Sequence, residues 1–64
     1  MKVYVVLFYV SYEGYYKDEK CKVFKNENEA KEYVNELNKD YAEMCGCYVE
    51  ELGDYYDYEE MDLI

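Results

Sequence analysis

The segment at positions 2–12, KVYVVLFYVSY, limits the fold of this chain more than any other part of it. Its residues are β-branched or aromatic almost throughout, which is typical of a β-strand, and no polar stripe recurs at helical spacing. Alternate positions form two apolar sets, Val3, Val5, Leu7 and Tyr9 on one side and Tyr4, Val6, Phe8, Val10 and Tyr12 on the other. Both faces of this strand therefore need cover from elsewhere.

A hairpin loop and a second, shorter strand are predicted next. Positions 13–20, EGYYKDEK, combine Gly14 with five charged residues, which is typical of a loop. Positions 21–25, CKVFK, predict a short strand whose lysines suit an edge or solvated positions. The first two strands are therefore expected to pair as a hairpin.

One amphipathic helix follows the second strand. Asn26, with Glu29 three residues later, forms a capping box at the helix start. The apolar positions that come next lie on one helical face: Ala30, Tyr33, Val34, Leu37 and Tyr41. Gly46 can supply a left-handed C-terminal cap, so the helix is expected to end between Lys39 and Cys45.

The remaining chain predicts a third strand and an acidic end. Positions 47–52, CYVEEL, predict a strand closed by Gly53, and a crossover through the helix implies one parallel pair with a right-handed connection. The expected fold is α+β, a β-β-α-β domain at 1–53 with a three- to four-stranded sheet and one helix on one face. Positions 54–64 are either a C-terminal edge strand or a tail.

The expected sheet has one face that nothing in the chain covers. A single helix covers one side only, while the first strand is apolar on both. An uncovered apolar face of this size marks an interface, and a chain of 64 residues gains stability from association. We therefore expect a homodimer or a higher oligomer.

The charge of the chain is concentrated at its C-terminal end. The net charge is −9, yet positions 1–49 hold nine acids and seven lysines, a net of −2. Positions 50–64 hold seven acids and no base, a net of −7. Such a field repels nucleic acid and membrane phosphates and attracts basic proteins, so the expected partner is a basic protein, with no direct nucleic acid and no membrane.

Residues suited to catalysis are scarce. The chain has no His, Arg or Thr, Ser11 is its only serine, and its three glycines are isolated, which argues against an enzyme. Cys45-Gly46-Cys47 is interpreted as structural, and no metal or cofactor is expected. An odd number of cysteines without a secretion signal favours the reducing cytoplasm.

Two surfaces are candidates for binding. The first is acidic and rich in tyrosine, and comprises Glu50, Glu51, Asp54, Tyr55, Tyr56, Asp57, Tyr58, Glu59 and Glu60. On a strand, alternate carboxylates lie ~6.6–6.8 Å apart. This is about twice the ~3.4 Å rise per phosphate of one DNA strand. Such a row can resemble a phosphate backbone and bind a basic groove, although a solubilising tail has the same composition.

The second candidate lies in the predicted hairpin. It comprises Tyr12, Tyr15, Tyr16, Lys17, Lys20 and Lys22. Tyrosine and lysine together can stack a base and hold a phosphate, which suits a small nucleotide. The alternative is that the lysines protect an edge strand from aggregation and the tyrosines line a dimer contact.

The passage VFKNENEAKEYV, from Val23 to Val34, resembles small β-β-α-β proteins of phages and low-GC bacteria, a largely uncharacterised group. Small size, acidity and a preference for residues with AT-rich codons are similar to those of phage anti-defence proteins, including anti-CRISPR and anti-restriction inhibitors. The resemblance implies a non-enzymatic inhibitor that binds the nucleic-acid-facing surface of a host protein. The alternatives are an oligomeric binder that sequesters a nucleotide signal, and a structural homodimer with no separate site.

Overall fold

The computed structural model describes residues 1–62. The predicted segment 54–64 ends with Leu63 and Ile64, which lie outside the described residues. The elements in chain order are β1 (Lys2–Val10), β2 (Gly14–Tyr16), β3 (Val23–Phe24), α1 (Glu27–Cys45), a short 3₁₀ helix (Val49–Glu51) and β4 (Tyr55–Asp62). The predicted α+β class is confirmed.

β1 is the central strand of a four-stranded antiparallel sheet. β4 pairs with one edge of β1 along nearly its whole length, from Lys2 opposite Asp62 to Tyr9 opposite Tyr55. The other edge of β1 is shared, because β2 pairs at its C-terminal end and β3 pairs near its N-terminal end. β4 is therefore one edge of the sheet, and β2 and β3 together form the other.

The predicted third strand at 47–52 is wrong. This segment contains the 3₁₀ helix Val49–Glu51, and the strand that follows α1 is β4. The reason lies in β1, whose nine residues leave a long row of backbone hydrogen-bonding groups along one edge. The eight residues of β4 match that row, whereas a six-residue segment would leave part of it unpaired.

All three described strand pairings are antiparallel. β3 and β4 run in the same direction and are joined through α1, so a crossover does form. They cannot pair with each other because β1 lies between them.

Asn26 and Gly46 cap α1 as predicted, but among residues 1–62 the Glu29 side chain makes no bond to the Asn26 N–H, so the capping box is only half formed. The Asn26 side chain accepts hydrogen bonds from the backbone N–H groups of Asn28 and Glu29, at 2.8 and 3.3 Å. At the other end, Gly46 has φ of +71°, and its N–H donates to carbonyl groups in the last turn of the helix. The left-handed conformation explains the glycine, since side chains with a Cβ rarely adopt it.

The core lies between α1 and one face of the sheet, here called the inner face. Val6 is fully buried there and packs with Val34 and Tyr56. Phe8, Phe24, Tyr33 and Leu37 complete the cluster around them. The opposite face, here called the outer face, carries the odd-numbered side chains of β1 and lies away from α1. Val5, Leu7 and Tyr9 are half-buried there, whereas Val3 is only 6% exposed.

Within residues 1–62, no helix combines the length and the apolar character needed to cross a membrane.

Candidate protein-binding surface

Side chains along β4 alternate between the two faces of the sheet, so the predicted acidic surface is divided between them. Tyr56, Tyr58, Glu60 and Asp62 belong to the inner-face set, whereas Tyr55, Asp57, Glu59 and Met61 belong to the outer-face set. Tyr56 is only 7% exposed and is part of the core. The tyrosines and acids proposed from the sequence therefore do not form one continuous surface.

Tyr56 is held in the core by contacts on several sides. Its ring lies 4.8 Å from that of Phe8, and its hydroxyl donates a 2.8 Å hydrogen bond to Asp18. Burial, reinforced by the Asp18 carboxylate, raises the pKa of Tyr56 far above its ordinary value. This side chain therefore remains a neutral donor to Asp18 at physiological pH.

Asp18 accepts three hydrogen bonds in the loop between β2 and β3. Besides Tyr56, the Lys20 backbone N–H donates to it at 2.9 Å, and the Cys21 thiol lies 3.4 Å from it. Burial raises the pKa of the Asp18 carboxyl, but these hydrogen bonds outweigh that effect and the net shift is downward. Asp18 thus links this loop to β4 through a charge-assisted bond.

Asn38 is the residue that sequence reasoning missed. It is 8% exposed, and its carboxamide binds the backbone of Tyr56 twice, accepting from the N–H at 2.7 Å and donating to the C=O at 2.9 Å. The helix therefore closes the open edge of β4 at this residue. A signal was present in the sequence, since Asn38 lies at the four-residue spacing of Ala30, Val34 and Ala42, where an apolar residue is expected.

Tyr58 and Asp57 close a further part of the same edge. The Tyr58 N–H donates to the Asp57 carboxylate at 2.8 Å. The Tyr58 ring meets that of Tyr4 edge-on at 6.2 Å, and its hydroxyl donates to Glu27 at 3.4 Å. Tyr58 is therefore half-buried and contacts α1, which leaves little of it for a partner.

The acids towards the end of β4 remain exposed. Among residues 1–62 the one ion pair is between Lys2 and Glu60, at 3.5 Å, and both side chains are largely exposed. An exposed ion pair of this kind contributes only about 0–1 kcal/mol to stability, so it offsets little of the negative charge on this surface. Glu59 and Asp62 make no side-chain hydrogen bond or ion pair with the residues described.

The other predicted acids lie at the opposite end of the molecule. Glu50 and Glu51 are exposed in the 3₁₀ helix, and Asp54 is half-buried and accepts a 3.4 Å hydrogen bond from the Ser11 N–H. The acids of β4 extend away from them along a strand of eight residues, which spans about 24 Å. Negative charge therefore follows one side of the protein rather than forming a compact patch.

The predicted hairpin site is spread over several surfaces. Tyr12 is 94% exposed in the β1–β2 turn, and Tyr15 is on the outer face beside Tyr9. Tyr16 donates to Glu13, and Lys22 lies 5.3 Å from the Tyr33 ring on the helix side. Lys17 and Lys20 are in the β2–β3 loop. The described residues enclose no cavity in which these side chains converge.

The three cysteines are free and lie in two places. Cys45 ends α1 and Cys47 follows its cap, whereas Cys21 is in the loop beside Asp18. Burial raises the pKa of the Cys21 and Cys47 thiols, which disfavours the reactive thiolate. Among residues 1–62 no three acidic or sulfur side chains cluster with the geometry of a metal site.

Comparison of the chain with protein-family models, with curated proteins and with solved structures finds no match. The likeness to small phage proteins therefore stays a prediction based on the passage Val23 to Val34.

Proposed function

We propose that this chain is a non-enzymatic inhibitor that binds the basic, nucleic-acid-facing surface of another protein. The observation that supports it is the position of β4, an edge strand with acids at four of its eight positions: Asp57, Glu59, Glu60 and Asp62. Only one of these acids is in an ion pair among the residues described. Tyr55, on the same face of the strand as Asp57, adds contact area at the start of β4.

The inhibition would be electrostatic and steric. The chain has a net charge of −9, and its acidic side would steer basic partners towards β4 and repel nucleic acid. Carboxylates on one face of the strand are ~6.6–6.8 Å apart, near two phosphate steps of a DNA strand. A groove built for a phosphate backbone would therefore accept β4 and be blocked by it.

The partner class that suits this surface is a cytoplasmic host defence protein with a lysine- or arginine-rich groove. This assignment rests on the resemblance of the sequence to phage anti-defence proteins. No step of bond making or breaking is involved, since binding alone displaces the nucleic acid.

A matched pair of variants tests the proposal by capture from a low-GC bacterial lysate. Glu60→Gln/Asp62→Asn removes two charges from β4, and Glu32→Gln/Glu36→Gln removes two from exposed positions of α1. Both change the net charge by two, from −9 to −7. We expect the β4 variant to lose a nucleic-acid-binding protein that the wild type and the α1 variant retain.

The captured protein should then lose DNA or RNA binding when the wild-type chain is added, and the loss should weaken as salt rises. Equal capture by the two variants would show that overall charge, and not β4, drives binding. A captured protein whose nucleic-acid binding is unaffected would contradict the inhibitory mechanism.

A further inference from the structure

The outer face of the sheet is apolar at its centre and is not covered by α1, although Val3 at one end of it is only 6% exposed. Val5, Leu7 and Tyr9 of β1 lie along its middle, half-buried by their neighbours. Tyr9 stands between Tyr15 and Tyr55, with ring centroids 5.2 and 5.1 Å away, so three tyrosines cross the sheet at one end. Val23 and Met61, on the flanking strands, are 60% and 50% exposed.

The two rims of this face carry opposite charge. Asp57 and Glu59 are on the β4 side. Burial is the larger cause of the raised pKa of Tyr15 on the same face, and these two carboxylates raise it further. On the other side, Lys17 directly follows β2 and Lys25 directly follows β3. Because side chains alternate between the two faces of a strand, these exposed lysines lie on the same face as Tyr15 and Val23, each of which is two residues earlier.

Two copies that pack by their outer faces can be related by a two-fold axis in either of two simple orientations, and only one of these brings opposite charges together. A two-fold axis perpendicular to the strands would place β4 over β4, with acids facing acids. A two-fold axis parallel to β1 places β4 of one copy over β2 and β3 of the other, so acids face lysines. Like charges brought together across an interface cost several kcal/mol, so the second orientation is favoured.

The strand register specifies the contacts of that orientation. Asp57 is opposite Leu7, and continuing the β2 register past Tyr16 brings Lys17 to the same level, so Asp57 faces Lys17 of the second copy. Continuing β3 past Phe24 brings Lys25 to the level of Val3, two residues from that of Glu59. This offset is about 6.6 Å along the strand, within reach of a lysine side chain.

We propose that the outer face is a homodimer interface, in which two copies pack face to face about a two-fold axis parallel to β1. The sheet face measures roughly 30 by 15 Å, so the pairing buries on the order of 1,000 Å² in total, the lower end for a specific interface. Aligned sheets of this kind cross at about −30° because of their twist. Glu60 and Asp62 belong to the inner-face set and stay outside this contact, so the dimer would cover Asp57 and Glu59 of the proposed partner site and leave these two acids exposed.

A charge exchange tests the orientation by sedimentation equilibrium of the full chain. Glu59→Lys and Lys25→Glu place like charges together in the proposed dimer, so each should weaken dimerisation about tenfold. The double variant restores the pairing with the signs reversed and should dimerise nearly as well as the wild type. Neither side chain makes an internal hydrogen bond or ion pair among the residues described, so the fold should be retained, which far-UV circular dichroism checks.

The Glu59→Lys variant separates this model from general repulsion between acidic chains. It changes the net charge from −9 to −7, so general repulsion would make its dimer tighter, whereas the proposed contact makes it weaker. Leu7→Asp should abolish the dimer, and Glu60→Gln/Asp62→Asn should leave it unchanged. A wild-type chain that stays monomeric at millimolar concentration would overturn the proposal. So would a dimer without rescue in the double variant.

Discussion

Replacing Asn38 with alanine tests how the helix secures β4. The change deletes the two hydrogen bonds, at 2.7 and 2.9 Å, that the carboxamide makes with the Tyr56 backbone. Both Asn38 and Tyr56 are less than one-tenth exposed, so water cannot easily replace the lost partner. An unsatisfied buried donor or acceptor costs about 1–3 kcal/mol, and two of them give an expected loss of about 2–6 kcal/mol.

This loss is large for a protein of this size. A domain of 64 residues has an unfolding free energy of about 3–10 kcal/mol, so the variant should lose about a fifth or more of its stability. The measurement is urea unfolding followed by circular dichroism, at one protein concentration for all variants because association raises apparent stability. Near-ultraviolet circular dichroism reports at the same time on the packing of the tyrosines.

Asn35→Ala is the matched control. Asn35 is exposed on the same helix, so the substitution makes the same chemical change and the same small gain in helix propensity without the buried contact. A difference of less than about 0.5 kcal/mol between the two variants would refute the argument. It would show that water satisfies the Tyr56 backbone as well as the carboxamide does.

Three further changes test other parts of the fold by urea unfolding. Val6→Ala, at a fully buried site, should cost about 2 kcal/mol, whereas Val49→Ala, at a 44% exposed site outside the sheet, should cost less than about 0.5 kcal/mol; equal losses would contradict the assigned core. Gly46→Ala should cost about 1–2 kcal/mol through its φ of +71° alone, because no atom lies within 4 Å of the added methyl group; an unchanged stability would contradict a left-handed cap. Because the pKa of Tyr56 is raised in the folded state, the stability that its neutral hydroxyl contributes should be full below pH 10 and be lost as the pH rises above it. Tyr56→Phe, which loses the bond to Asp18 at a cost of about 1 kcal/mol, should reduce that fall at high pH, and an identical pH dependence would refute the coupling.

β1 and α1 could be predicted because their signals are local. A run of β-branched and aromatic residues favours a strand wherever it occurs, and the cap residues Asn26 and Gly46 mark the ends of the helix regardless of what it packs against. The outer face could also be predicted, because a single helix covers only one side of a strand that is apolar on both. These parts depend little on distant contacts.

β4 could not be predicted with the same certainty because its character depends on β1. Its two faces differ little in composition, Tyr-Tyr-Glu-Asp on the inner side and Tyr-Asp-Glu-Met on the outer. A shift of one residue would exchange the faces and bury Asp57 in place of Tyr56. The observed register is favoured by groups far away in the sequence, namely the Asn38 carboxamide and the Asp18 acceptor.

The same strand decides which assemblies this sheet can enter. An exposed edge strand is a template for pairing with another chain, and two copies of β4 joined edge to edge would make a continuous sheet. That pairing is opposed twice, because acids would stand against acids on both faces and because Asn38 and Asp57 already satisfy the Tyr56 and Tyr58 backbone groups. These two effects favour the outer face, where lysines would oppose acids, over the β4 edge as the contact of the proposed dimer. If both proposals hold, only Glu60 and Asp62 of the four β4 acids stay free for a basic partner in the dimer, so dimerisation and target binding would compete for Asp57 and Glu59.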